Sequence, residues 1–499
     1  MSVFTIEAGL ALLGLFLLLL DAFAPGVSRR TLGILSMAGV GLALVLLVTV
    51  AGGEEALPAF VKPFQQLDAL AMFYKGFALV ITLLVLWLVL ECAPYMTRFT
   101  LEGRVGEMLS LPLFVCVGMM WMAGAKDLVT VFVALELVTV SFYVLVGYTR
   151  KSAMALEAGV KYLILGAIST GVLVFGIAWV YGATGSLEFE GIRQAAAAEG
   201  TNRTILLFGA AFLLAGLGFK VAAAPFQMWV PDVYQGASMP VAAFLSVGSK
   251  AAGFAVLSRV VAALAGEGSA VRGEVLAALI AAGSVTVLVG SLPAIFQTSV
   301  KRLLGYSSIS HAGFLLLALG CQGAGRFGLD ANGVVAFYLA TYLPMTVLGF
   351  LALAVLRRNG RGEELEDFRG LGRRSPMLAL VVTLAFASLA GLPLTVGFLG
   401  KMLVVLTLVD QGQWVALAFA ILAAAVGFYY YFRVILAMYS SDEGVPEAAP
   451  VRVSLAARVV GVGLAVAVVL LGVYPRPLQP MLREASQAEN SAVSAPSGH

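Results

Sequence analysis

The sequence predicts an all-α integral membrane protein of about fourteen transmembrane helices. Three observations predict it. Hydrophobic residues make up 61% of the 499 positions and charged residues only 12%, whereas a soluble domain carries about 25% charged residues. Long apolar runs recur from residue 3 to residue 474, so the whole chain is membrane and not a soluble domain with an anchor. Each run approaches or exceeds the ~20 residues that a helix needs to cross a hydrocarbon core.

The expected spans are 3–23, 31–51, 70–91, 108–124, 127–148, 155–182, 205–229, 240–264, 274–296, 302–321, 332–356, 377–408, 412–440 and 453–474. The N-terminus runs straight into an apolar stretch without a basic leader or a small-residue cleavage site, and is expected to be the first span. The runs 377–408 and 412–440 exceed one straight crossing and are expected to tilt or break. Lys and Arg concentrate at Ser28–Arg30, Arg98–Arg104, Arg150–Lys151, Lys301–Arg302 and Arg357–Arg374, connections that fall on one side if the span count holds. By the positive-inside rule that side is cytoplasmic, which puts both termini in the opposite compartment. The tail from Pro475 to His499 is polar, rich in Ala and Ser, and carries no long amphipathic helix.

Composition excludes several function classes. The net charge of +3 is small and spread out, so no nucleic-acid partner is expected. Cys92, Cys116 and Cys321 lie far apart in or beside apolar runs. They cannot supply a cluster or zinc motif, which needs about four converging ligands, and read as small buried hydrophobes. Only two histidines are present, one of them the terminal His499, which excludes bis-histidine haem ligation within one chain.

An internal echo runs through the apolar segments. Gly216-Leu217-Gly218-Phe219-Lys220 precedes Pro225 and Pro231, and Gly391-Leu392-Pro393 precedes Gly397-Phe398-Leu399-Gly400-Lys401. Each is a span with a central lysine and Gly or Pro breakers beside it. Paired, interrupted spans are the mark of a repeat-built transporter. An offset of five spans between them inverts one unit relative to the other.

A charge at the centre of a span costs at least about 2.5–3.5 kcal/mol. Yet Glu136, Lys220, Lys250 and Lys401 all sit deep, and His311 follows Ser307, Ser308 and Ser310. Glu157 and Lys161, four apart at the start of the sixth span, share a helix face. Blander readings compete. Lys161 and Lys75 are placed to snorkel to headgroups, His311 taken alone reads as a satisfied core histidine, and Glu7, Asp21 and Glu91 lie near span ends and are expected to be interfacial. Glu136, Lys220 and Lys401 resist such readings because they are central. Taken as a set, the deep groups imply a polar lane through the bundle. Burial disfavours the charged form of a lysine, and a nearby carboxylate restores it. A Glu–Lys pair that forms and breaks therefore makes a lysine hold or release a proton. With Glu136 the single deep central carboxylate, the set suits protons better than sodium.

The runs Leu135-Glu136-Leu137, Tyr143-Val144-Leu145-Val146-Gly147-Tyr148, Glu157-Ala158-Gly159-Val160-Lys161-Tyr162 and Phe219-Lys220 resemble the antiporter-like subunits of respiratory complex I, relatives of the Mrp cation/proton antiporters. So do Pro225-Phe226-Gln227-Met228-Trp229-Val230-Pro231-Asp232-Val233-Tyr234-Gln235-Gly236-Ala237, the stretch from Lys301 to His311, and Gly391-Leu392-Pro393. Within that family, the short end after the last span differs from subunit L, which has a long lateral helix, and Lys401 differs from subunit M, which typically has a glutamate there. The resemblance implies two inverted five-helix repeats containing broken helices, and a division into 1–107 (three spans), 108–265 (spans four to eight), 266–440 (spans nine to thirteen) and 441–499 (the last span and tail).

By position the resemblance also implies roles. Glu136 pairs with Lys220, Lys250 relays on the central axis, His311 lies on the route to the second break, Lys401 ends the second half-channel, and Glu157 with Lys161 forms a polar pair. It implies no cofactor in this chain, with flavin, iron–sulfur clusters and quinone handled by partner subunits. The implied partners are other membrane-arm subunits, including a second antiporter-like subunit and small membrane subunits, together with lipids, in a bacterial plasma membrane. The alternatives are a cation/proton antiporter subunit of the same ancestry and a purely structural membrane subunit. A soluble-substrate enzyme fits least, since no nucleophile–base set or metal motif stands out.

Overall fold

The computed structural model describes residues 2–24, 26–50, 57–100, 103–322, 330–440 and 450–476. Helices dominate it. In chain order they are α1 (Val3–Phe23), α2 (Arg29–Thr49), α3 (Ala69–Met96), α4 (Glu107–Gly124), α5 (Leu128–Val146), α6 (Ala153–Thr184), α7 (Phe189–Ala197), α8 (Arg203–Val221), α9 (Trp229–Gly236), α10 (Met239–Phe244), α11 (Lys250–Leu264), α12 (Arg272–Ser291), α13 (Val300–Gly320), α14 (Ala331–Arg358), α15 (Leu371–Arg374), α16 (Pro376–Ala390), α17 (Val396–Asp410), α18 (Trp414–Tyr439) and α19 (Leu455–Val473). Counting α8–α9 and α10–α11 as single crossings, thirteen segments among the described residues are long and apolar enough to span a bilayer. The broken pair α16–α17 supplies the fourteenth, so the fold class follows the expectation.

Polar caps set many of the starts. Asp68 accepts from the Ala71 amide at 2.7 Å, Asp127 from Thr130 at 2.8 Å and Asp330 from Gly333 at 2.7 Å. Each satisfies an amide that the first turn leaves without an intrahelical partner.

Burial sorts the helices. The crossing Met239–Leu264 is 100% buried over its most apolar window, and α13 and α14 are 94% buried, whereas α19 is 22% and α6 28% buried. The first set forms the central axis and the second the outer wall. Small residues let the axis pack tightly. A Cβ added at Gly290 on α12 would lie 2.2 Å from the Ser310 amide nitrogen on α13.

Two crossings are broken. Helix α8 stops where Ala222 takes a left-handed φ of 64°, and Pro225 brings no amide to continue it. Helix α16 stops at Gly391, φ 90°, before Pro393. A third irregularity, a single π-helical stretch at Leu245–Ser249, joins α10 to α11 just ahead of Lys250. The run 377–408 breaks as expected, but 412–440 holds one continuous helix, α18, of 26 residues. The surface helix α7 was not anticipated, although Phe189, Ile192 and Ala196 carry a helical apolar stripe, with Ile192 and Ala196 buried.

Two charged groups expected at the interface or snorkelling toward it are instead covered. Glu7 and Lys75 are 2% and 1% exposed and form an ion pair with each other. The connection before α3 covers them, and its Gln65 accepts from Lys75 at 3.3 Å while donating to the Trp121 carbonyl at 2.9 Å. Glu91 is buried against Arg358 and Ser454. The tail beyond residue 476 lies outside the described residues.

Candidate functional site

The central axis carries the site. Lys250 is the first residue of α11, and its ammonium donates to the Ser308 carbonyl and, at 2.5 Å, to the Ser308 hydroxyl on α13. Ser308 also meets the Tyr234 hydroxyl at 3.2 Å and Ser246 at 3.3 Å. Ser246 in turn meets the Tyr342 hydroxyl at 2.8 Å, and the Tyr342 ring lies 5.5 Å from the Lys250 ammonium. On the adjoining face of α13, Ser307 and His311 stand four apart. Both reach the Tyr431 hydroxyl, Ser307 directly and His311 Nε2 at 3.2 Å. His311 Nδ1 meets the Tyr338 hydroxyl at 2.7 Å. Tyr342 belongs to the Lys250 group and Tyr338, four residues earlier on α14, to the His311 group, and the two groups meet where the His311 and Tyr342 ring centroids lie 4.9 Å apart. Beyond the Lys250 ammonium and the Ser308 carbonyl, each partner is a hydroxyl or imidazole, groups that both donate and accept.

The two break lysines flank this axis. Lys220, in the last turn of α8, is 7% exposed and donates to Thr139 at 2.7 Å. Gly253, one turn beyond Lys250 on α11, lies against it, because a Cβ there would sit 3.7 Å from Lys220 Cβ. Lys401, on α17, donates to the Leu389 and Ala390 carbonyls at 2.8 and 2.9 Å. Those carbonyls end α16 and are freed by its break. Phe314 places its ring 5.6 Å from the Lys401 ammonium. Gly400, beside Lys401, faces Tyr338 and Thr341.

The anticipated Glu136–Lys220 ion pair is not made. Glu136 is half-buried and accepts from Thr170 of α6 at 2.8 Å, while Lys220 meets α5 one turn further on, at Thr139. The exposed neighbours Val133, Leu137 and Val140 show that Glu136 borders the outer wall, away from the axis. Glu157 and Lys161 lie apart from the axis as well. Lys161 bridges Glu157 and Asp232, each at 2.7 Å, and Arg302 joins Asp232 at 2.7 Å around a cavity of about 140 Å³. Lys250 and His311 are therefore brought together, Lys220 and Lys401 flank them, and Glu136, Glu157 and Lys161 are peripheral.

Sequence reasoning missed the hydroxyl partners Thr139, Tyr234, Ser246, Tyr338, Tyr342 and Tyr431, and the carboxylate Asp232. The spacing of Tyr338 and Tyr342 and the run Ser307-Ser308 before His311 were the available signals. Among the described residues no group of three or more His, Cys, Asp or Glu side chains is placed to hold a metal.

An all-α membrane bundle with two broken helices and lysines at the breaks defines an antiporter-like transporter subunit. Residues 125–427 match the family described as NADH:quinone oxidoreductase/Mrp antiporter, TM, and the chain belongs to that family. An NADH-quinone oxidoreductase subunit N of Desulforamulus reducens is 37% identical over 487 residues, 98% of this chain and 98% of its own. A chain of respiratory complex I from Thermus thermophilus is 33% identical with a TM-score of 0.77, covering 96% of this chain and 99% of its own. A chain of the membrane-bound sulfane sulfur reductase, an archaeal respiratory membrane complex, is 25% identical with a TM-score of 0.85, covering 98% and 97%. The resemblance read from the sequence is borne out.

Proposed function

We propose that this chain is a membrane-arm subunit of an NADH–quinone oxidoreductase and itself translocates protons. One observation carries the reading. Lys220, Lys250 and Lys401 are buried, and their hydrogen-bond acceptors among the described residues are all neutral oxygens. A lysine held by a hydroxyl or carbonyl has no fixed counter-charge beside it. Glu136, one helical turn from the Thr139 contact, acts on Lys220 across that turn without pairing to it. Quinone chemistry in neighbouring subunits changes the field along the axis. Lys220 then passes a proton through Lys250 and His311 toward Lys401, which releases it to the non-cytoplasmic side. The hydroxyls of Ser308 and Tyr342 serve the Lys250 end of this step and those of Tyr431 and Tyr338 the His311 end, with water bridging between them. The Glu157–Lys161–Asp232–Arg302 cluster tunes the positive face at a distance from this lane.

Flavin, iron–sulfur clusters and quinone belong to partner subunits. The outward faces of α5 and α6, where Val133, Val140, Ile164 and Ile168 are exposed, suit a second antiporter-like subunit, small membrane subunits or lipid. The host is a bacterial plasma membrane, and the Lys- and Arg-rich connections face the cytoplasm with both termini opposite. Residues 108–265 and 266–440 act as the two inverted units, and 1–107 and 441–499 flank them.

The test replaces Lys220 with Ala and compares assembly, NADH-driven quinone reduction and proton uptake in membrane vesicles. An assembled complex with strongly reduced turnover and uptake supports the relay. Normal turnover and uptake would return the chain to a scaffold role. A sodium-dependent transport phenotype of the chain without its redox partners would favour the antiporter alternative.

A further inference from the structure

A cavity of about 510 Å³ opens where α3 and α14 end, on the face that also carries Lys301 and the connection after α5. Its wall brings together Arg98, Arg357, Arg358 and Arg361 with Tyr95 and Phe99. No acidic residue lines it. Local structure explains the convergence. Tyr95 lies in the last turn of α3 and Arg98 just past its end, Arg357 and Arg358 end α14, and Gly360 takes a φ of 76° that turns the chain so the Arg361 amide caps the Leu356 carbonyl.

Arginines at a helix C-terminus are favourable in themselves, and two of the four are already engaged. Arg357 donates to the Tyr95 hydroxyl at 2.8 Å and stacks 5.0 Å from its ring, and Arg358 pairs with Glu91. Arg98 and Arg361 have no ion pair with any described acidic residue, yet both face the same cavity. The volume falls within the roughly 300–1,000 Å³ of small-molecule sites. Guanidinium forks match phosphate oxygens two at a time.

We propose that this cavity binds the phosphodiester headgroup of an anionic phospholipid, with Arg98 and Arg361 as its primary ligands and Arg357 as a supporting wall. Two features favour a lipid over a soluble phosphate. The site sits at the end of two spanning helices, at headgroup depth, and Tyr95 and Phe99 form an aromatic rim there, their rings 5.1 Å apart. Basic pockets between spans on the positive side suit such headgroups.

The experiment uses the whole complex in nanodiscs of phosphatidylcholine alone or with phosphatidylglycerol. Native mass spectrometry counts retained lipid, and titration gives affinity. Wild type should retain one more phosphatidylglycerol than the Arg98→Gln/Arg361→Gln variant, with affinity lowered about tenfold for each guanidinium removed. Equal retention and affinity in the two proteins would overturn the proposal. So would displacement of the lipid by inorganic phosphate at concentrations that leave other bound lipids in place, which would mark a soluble-anion site. If the double variant fails to assemble, Arg98→Gln alone gives the same comparison, because Arg98 makes no side-chain hydrogen bond with any described residue.

Discussion

Lys75, Lys220, Lys250 and Lys401 are all buried, yet they are held in opposite ways. In the N-terminal three-helix unit Lys75 meets a carboxylate, Glu7, in a direct ion pair. In the repeats Lys220 meets a threonine hydroxyl, Lys250 a serine, and Lys401 two backbone carbonyls. A carboxylate fixes the charge on its lysine, whereas a neutral oxygen leaves the proton free to depart. The same residue type therefore has a fixed counter-charge in one region and only neutral partners in the other. The repeats differ between themselves too. In the first, the carbonyl of Phe219 near the break is taken by the Trp229 indole at 3.1 Å, and Lys220 sits before the break. In the second, the lysine comes after the break and itself satisfies the freed carbonyls.

The largest expected effect tests the fixed pair. Lys75→Met leaves Glu7 buried and uncompensated, which costs about 3–5 kcal/mol. The yield of assembled complex should fall, and proton uptake per assembled complex should not. Loss of uptake in complexes that do assemble would break the comparison. Adding Glu7→Gln to Lys75→Met should restore most of the yield. Next, Lys401→Met should abolish uptake and also destabilise by about 1–3 kcal/mol, because the Leu389 and Ala390 carbonyls lose their donor. Lys220→Met should affect uptake alike but stability less, since Thr139 still donates to the Leu135 carbonyl at 2.7 Å. Equal thermal stability of the two variants would erase the distinction between the breaks. A smaller effect is expected for Gly391→Ala. At φ 90° and with its new Cβ 3.1 Å from Lys401 Cδ, it should destabilise by about 1–2 kcal/mol. Smallest is Ala222→Gly, which removes a left-handed alanine from the first break and should raise thermal stability by up to about 1 kcal/mol.

The fourteen crossings, the break near 391 and the deep lysines were legible because hydropathy, Gly–Pro breakers and charge are local signals. Lys75 and Glu7 were misread for a physical reason. Each lies a few residues from a span end, and only the folded connection carrying Gln65 shows that this end is covered. The hydroxyl network escaped because serine and tyrosine are unremarkable in apolar helices. Tyr338 and Tyr431 matter only once α14 and α18 bring them to His311. The run 412–440 does not break, since its extra apolar residues lengthen one continuous helix, α18.

The wide turn at Leu245–Ser249 has a mechanical consequence. A π-helical turn holds one residue more than the α-helical winding on either side. Rewinding it would advance α11 by ~1.5 Å and rotate it by ~100°. Lys250, the residue that follows the turn, would then swing off Ser308, so one backbone slip would break that contact.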